Sequence, residues 1–159
     1  MYISRLLSKE DLLEICSFPQ STAELFFVSP RFRYPLTPDQ ILELLTNRFE
    51  PTVIIEENTG QIVAYANLYD IKDNSCWLGN VIVSPNHRGR GAADVLINTM
   101  IYKVKENYGI KKLLLSCHHT NSRGLAFYNK HQFKPYDMKV IRLEDGDKMI
   151  TIQMGRELN

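Results

Sequence analysis

WLGNVIVSPNHRGRGAAD, Trp77 to Asp94, holds the decisive pattern of this chain. An apolar strand stops at Ser84-Pro85, a turn rich in arginine and glycine follows, and a helix begins at once. Strand, glycine turn and helix start together aim unpaired backbone N–H groups at an anion, because the first turn of a helix has no internal acceptors for them. Gly89 and Gly91 permit dihedrals and close approaches that a Cβ forbids. Arg88 and Arg90 add positive charge. The segment reads as a phosphate holder.

Two common phosphate loops do not match. A Walker A loop needs Lys followed by Ser or Thr after its last glycine, and Ala92-Ala93-Asp94 stand there instead. The dinucleotide fingerprint wants a third glycine where Asp94 sits. Arg88-x-x-Gly91-x-Ala93, directly after the strand Val81-Ile82-Val83-Ser84-Pro85, resembles the acetyl-CoA signature of the GNAT acetyltransferase superfamily, Gln/Arg-x-x-Gly-x-Gly/Ala after an apolar strand. Further on, Asn121-Ser-Arg-Gly-Leu-Ala-Phe-Tyr128-Asn-Lys-His-Gln-Phe133 is similar to a later segment of that family. There an Asn opens a short helix and a Tyr precedes a Gly-Phe ending. Gln132 stands where the family usually has Gly, so a different helix exit is expected. The resemblance spans roughly residues 50–155, with one helix and one strand between its two motifs.

Composition sets the frame. The 159 residues suit one domain, 1–159, long enough to bury a core. Apolar content of 44% and charged content of 23% are those of a globular protein rather than a disordered one. Net charge is +1 with Lys and Arg spread along the chain, which gives no footprint for nucleic acid. Cys16, Cys76 and Cys117 are odd in number and widely spaced, as for reduced thiols in a cytoplasmic protein, and no metal-ligand spacing is present. Nothing approaches the ~18 apolar residues that would cross a bilayer, so no membrane association is expected.

Local signals divide the rest. Residues 2–7 form a short strand, and Ser8 with Asp11 starts a helix through about Ile15. Pro19, Pro30, Pro35 and Pro38 keep any helix near Thr22–Phe27 short. Thr37-Pro38 opens another helix, with Ile41, Leu42, Leu44 and Leu45 on its apolar face. From Thr52 the period becomes that of strands, with a hairpin turn at Asn58-Thr59-Gly60 and a second turn at Asp73-Asn74-Ser75. Ala92, Ala93, Leu96, Ile97, Met100, Ile101 and Val104 recur at helical spacing, and Gly109 closes that helix. Lys112–Cys117 is a strand parallel to the one ending at Val83, since a helix joins them. Ser122–Lys130 is a short helix. Met138–Leu143 and Met149–Met154 flank Glu144-Asp145-Gly146-Asp147 as a last hairpin.

The resemblance implies an α/β (α+β) fold: a mixed, mostly antiparallel twisted sheet of six to seven strands, flanked by about four helices and splayed between the fourth and fifth strands. It implies acetyl-CoA as acetyl donor and no metal. The diphosphate would rest on the amides of Arg88, Gly89, Arg90, Gly91, Ala92 and Ala93, and the pantetheine arm would pair with Val81, Ile82 and Val83. An N–H near Val83 would hold the thioester oxygen, a contribution of roughly 3–4 kcal/mol. Asn121 caps its helix, contacts the pantetheine arm, or both. Spacing alone reads Tyr128 as an aromatic packed on the helix; with both motifs present it matches the family's general acid.

The general base is not readable. His118 and His119 follow the fifth strand, and alternation puts them on opposite faces, so at most one points inward. Asn80 stands where some family members carry an acid and cannot replace it, which leaves a water relay. The acceptor pocket falls to the aromatic segment Phe26–Pro35, with Phe27, Arg33 and Tyr34 as candidate contacts and Arg31 or Arg33 for a carboxylate or phosphate. Solvated arginines and core phenylalanines are the plainer reading of the same residues. The implied activity is N-acetylation of a primary amine, on a small molecule or peptide, by a monomer or homodimer. The alternative is a non-catalytic CoA-binding sensor or scaffold. Acetylated Cys117 as an intermediate, and transfer of longer chains or to a hydroxyl, are lesser variants.

Overall fold

In chain order the computed structural model, which describes residues 1–159, runs β1 (Tyr2–Leu6), α1 (Leu12–Cys16), α2 (Thr22–Val28), α3 (Pro38–Leu45), β2 (Arg48–Glu56), β3 (Ile62–Lys72) and β4 (Ser75–Val83). It continues with α4 (Ala92–Tyr108), β5 (Lys112–His118), α5 (Ser122–Lys130), β6 (Lys134–Arg142) and β7 (Lys148–Glu157). Single 3₁₀ turns precede α1 at Lys9–Asp11 and follow β4 at Pro85–His87. All seven strands join one sheet in the order β1-β2-β3-β4-β5-β7-β6. Five α-helices flank it, the proline-bounded segment Thr22–Val28 being one of them. No helix is long and apolar enough to cross a membrane.

Alternation along the strands sorts side chains into two cores. Ile54, Ala64, Ala66 and Leu68 face α4, where Leu96, Ile97, Met100 and Val104 complete a cluster with Leu113, Leu115, Cys117 and Phe133. Val53, Ile55, Tyr65 and Ile82 face the opposite way and are covered by Leu12, Ile15, Phe18, Leu25, Phe32 and Ile41 from α1–α3 and their connections. Each fully buried Leu, Ile, Phe or Met contributes about 1.5–3 kcal/mol relative to an exposed one. The sheet is thus fixed from both sides.

The only parallel pair is β4 with β5, as the α4 crossover demands. That pairing covers Ser75–Trp77 against Lys112–Leu114 and then stops. Beyond it β4 stays with β3 as far as Val83, while β5 stays with β7 as far as His118. The two strands therefore part company, and the sheet is split along half their length. A bulge helps to bend β4 away: between Tyr65↔Ile82 and Asn67↔Gly79 the register gains one residue on β4. Asn80 sits in that bulge with φ of 54°, a left-handed conformation that Asn accepts better than most residues.

Two strands reach further than their sequence signals. β2 starts at Arg48 rather than near Thr52, and β6 starts at Lys134 rather than Met138. Both early segments carry a proline, Pro51 and Pro135, and both contain a register shift. β6 is an edge strand, where a missing N–H costs no ladder bond.

Candidate active site

The split between β4 and β5 opens into a cleft of about 630 Å³ lined by β4, the glycine turn, α2 and α5. Backbone geometry on β4 decides what the cleft offers. Ser84 N–H donates to Val63 O on β3 at 2.7 Å. Along an extended strand successive N–H groups point to opposite sides, so the N–H of Val83 faces the gap.

At the far end of the gap the chain turns through Gly89 (φ 73°) and Gly91 (φ 91°) into α4. The first intrahelical bond there runs from Val95 N–H to Gly91 O, so the N–H groups of Ala92, Ala93 and Asp94 have no acceptor within the helix. With the helix dipole behind them they make a candidate anion seat. Arg90 differs from its neighbours: its N–H donates to His87 O at 3.4 Å, within the turn.

Several charged groups frame this seat. Arg88 does not extend toward solvent. Its guanidinium donates to Glu24 Oε1 at 2.8 Å, to Val83 O at 3.3 Å and to Phe18 O at 3.4 Å, tying α2 to the end of β4. Hydrogen bonding from Arg88 holds the Glu24 carboxyl below its ordinary pKa. Its guanidinium is thereby a clamp, and only its main chain belongs to the seat. Asp94, in the first turn of α4, accepts from His131 Nε2 at 2.7 Å and Lys130 Nζ at 3.1 Å. Burial disfavours that carboxylate, yet these bonds keep its pKa below the usual value. A negative charge beside the anion seat is thus compensated by α5. Arg123 and Lys130 line the cleft from the same helix.

On α5, Asn121 is the N-cap, its Oδ1 accepting from Gly124 N–H at 3.0 Å, and it also lines the cleft. Tyr128 stands two turns on, half-buried, with Phe127 and Phe133 edge-on at 5.4 and 6.0 Å between ring centroids. Burial, and then the nearby Cys117 thiol, push its phenol well above the ordinary tyrosine pKa. The Tyr128 hydroxyl is therefore a proton donor at any neutral pH. Burial likewise raises the Cys117 thiol to about 11, which leaves almost no thiolate for a covalent route.

The exit of α5 corrects one expectation. Gln132 adopts φ of 69°, the left-handed conformation a glycine would take. Phe133 N–H donates to Tyr128 O and Gln132 N–H to Asn129 O, both at 3.0 Å, the paired bonds of a Schellman ending. The turn is the same one; only the residue differs. A side chain in that conformation costs about 1–2 kcal/mol. Gln132→Gly is accordingly expected to raise stability by about 1 kcal/mol, read as a higher urea midpoint with unchanged slope; an unchanged or lower midpoint would show that the turn carries no strain.

A second correction concerns the histidines. His118 and His119 do not lie on opposite faces: their rings stack at 4.9 Å with 18° between planes. β5 ends at His118, so alternation stops there. Thr120 N–H donates to His118 Nδ1 at 3.1 Å, which places the proton of the neutral ring on Nε2, and Phe26 and Phe27 pack against it. Burial, and then His119, depress its pKa. Its free lone pair is already used.

Of the residues expected from sequence, Val81, Ile82, Val83, Arg88, Gly89, Gly91, Ala93, Asn121, Tyr128 and Phe27 line the cleft together. Arg90 points outward, and the Ala92 side chain is buried in the core. Arg33 and Tyr34 do not reach the cleft. Both are exposed, Arg33 lying 3.9 Å from Glu144 and its main chain held by Gln40. Glu24, Val28, Arg123 and Lys130 line the cleft unforeseen. The two on α5 share a face with Phe127, a spacing the sequence does contain. Nothing in the sequence ties Glu24 to Arg88, 64 residues away.

The family model described as acetyltransferase (GNAT) family matches residues 17–133. No curated protein matches the chain. Among solved structures, one provisionally assigned as a phosphinothricin N-acetyltransferase superposes with a TM-score of 0.80 at 22% identity, over 100% of this chain and 99% of that one. A spermidine N-acetyltransferase from Vibrio cholerae, in complex with CoA and spermine, gives 0.79 at 18% identity, over 99% and 95%. A ribosomal-protein-alanine N-acetyltransferase from Brucella melitensis gives 0.78 at 20% identity, over 98% and 99%. At such identities the likeness is one of fold.

Proposed function

The chain belongs to the GNAT acetyltransferase family, and from that premise we propose that it transfers the acetyl group of acetyl-CoA to a primary amine by direct attack. The observation that carries this reading is the split between β4 and β5, which ends at the free N–H groups of the α4 N-terminus. A diphosphate suits the amides of Gly89 and of Gly91 to Asp94, and the edge of β4 at Val81–Val83, where only Val83 O is already bonded, by Arg88, suits the pantetheine amides. Val83 N–H is the donor for the thioester oxygen as negative charge grows there.

The residues divide the chemistry. A new C–N bond forms as the C–S bond breaks; Tyr128 gives its proton to the departing thiolate and regains one from the nitrogen, which sheds its second proton as it becomes an amide. The amine arrives mostly protonated at neutral pH, since a lysine-like amine has a pKa of about 10. Its proton goes to water. Asn80 cannot take it, being an amide whose Oδ1 already accepts from Arg48 and Asn67, and the His118 lone pair is held by Thr120.

Release of free thiol from acetyl-CoA over a panel of small amines, polyamines and peptide N-termini tests the proposal. Turnover that depends on one class of amine is expected. Acetyl-CoA binding with no turnover across the whole panel would leave a CoA-binding sensor of the same fold.

A further inference from the structure

A second cavity, of about 730 Å³, opens between α3, the start of β2 and the end of β3. Arg48 lies in it, half-buried, with its guanidinium 4.0 Å above the Tyr69 ring. Its Nη1 donates to Asn67 Oδ1 at 3.0 Å and Asn80 Oδ1 at 3.1 Å. Both partners are neutral amides. An arginine withdrawn from water is ordinarily met by a carboxylate, and here burial, the largest influence, works against the Arg48 charge, as does Arg31 on the same wall, while Tyr69, Tyr65 and Asp70 favour it. The fold also makes room for this cation: at Gly79 on β4 an added Cβ would collide with Arg48 Nη1. Two arginines therefore share one cavity, and no carboxylate is bonded to the inner one; Asp70, exposed on the wall, favours its charge only from a distance.

We propose that this cavity seats the carboxylate of the acetyl acceptor, held by Arg48 and Arg31, so that the substrate class is an amine carrying a carboxylate. The proposal rests on the acetyltransferase reading and narrows it. Arginine's planar fork matches a carboxylate. Glu43 and Asp70, both exposed on the cavity wall, disfavour a polyanion. The cavity and the cleft share no lining residue, but a single buried side chain separates them: Asn80, on the reacting strand, receives Arg48 and donates to Val28 O at 3.4 Å, and Val28 lines the cleft. From Asn80 to Val83 is three residues, at most about 10 Å, since the strand bends at Asn80. The amine then stands several carbons from the carboxylate, as in 6-aminohexanoate, rather than on the adjacent carbon.

Trp77, the chain's one tryptophan, stacks on Tyr69 at 6.0 Å and reports on the cavity. Hexanoate, which lacks the amine, is expected to give a saturable change in Trp77 fluorescence, and hexylamine none. Arg31→Gln, at an exposed position, should weaken hexanoate about tenfold, and Arg48→Gln should abolish the response; a thermal melt of each variant confirms folding. In thiol release, 6-aminohexanoate should exceed hexylamine in kcat/KM by about tenfold, and that preference should vanish in Arg31→Gln. A silent hexanoate titration with hexylamine and 6-aminohexanoate turned over equally would overturn the carboxylate seat and spare the transferase. Arginine-dependent hexanoate binding without turnover of any amine would spare the seat and overturn the transferase.

Discussion

Replacing Gly91 by valine is expected to weaken acetyl-CoA binding by about 10–100-fold while lowering the melting temperature by only several degrees, leaving the protein folded. Gly91 is the N-cap of α4 with φ of 91° and ψ of −4°. No protein atom lies within 4 Å of where a Cβ would stand, so valine meets no steric barrier inside the protein. The penalty is in the backbone: a β-branched residue in that region costs on the order of 1–3 kcal/mol. Relief comes by rotating φ toward negative values, which turns the N–H groups of Gly91, Ala92 and Ala93 away from their shared focus. The anion seat is lost although the helix remains. Gly60→Val is the matched control. Gly60 also has positive φ (72°) and open space, but it lies in the β2–β3 turn. It should lose similar stability and keep full affinity, as isothermal titration would show. Equal affinity loss in both variants would mean that Gly91 acts through stability alone.

The Tyr128→Phe variant is expected to lose kcat by a factor of ~10²–10⁴, with the affinity for acetyl-CoA nearly unchanged. Phenylalanine keeps the ring that packs on Phe127 and Phe133 and removes only the hydroxyl. The pH dependence gives a second readout. Burial raises the Tyr128 pKa, so the group stays protonated, and competent as an acid, beyond the ordinary tyrosine value of about 10. The wild-type rate should show no alkaline decline from this residue below pH ~10. A variant with full kcat would remove Tyr128 from the chemistry, whatever the pH profile.

The parts readable in the sequence share one property: their signals are local. The period of Ala92–Val104, Gly109 as its stop, and the glycine turn before it are set within a few residues, and the helix between β4 and β5 then requires those strands to be parallel. Contacts made across the sheet left no such trace. Arg88 reads as a phosphate ligand until Glu24 is seen to hold it, and nothing local marks Arg48, whose place beside Asn80 and the bare Gly79 is set across three strands. Gln132 is a case of tertiary context overriding local preference: Phe133 is fully buried, and its burial holds the helix exit in a turn that glycine would fill more easily. The start of β6 is hidden because it holds Pro135 and the exposed Tyr136 on an edge strand, where no apolar alternation needs to be kept.

Amide resonances titrated with CoA would address the anion seat most directly. If the main-chain donors at the start of α4 grip the diphosphate, the N–H signals of Gly89, Gly91, Ala92, Ala93 and Asp94 should move downfield together and saturate along one binding curve. Signals that stay fixed through millimolar CoA, or a saturating response elsewhere while these five remain still, would contradict the account.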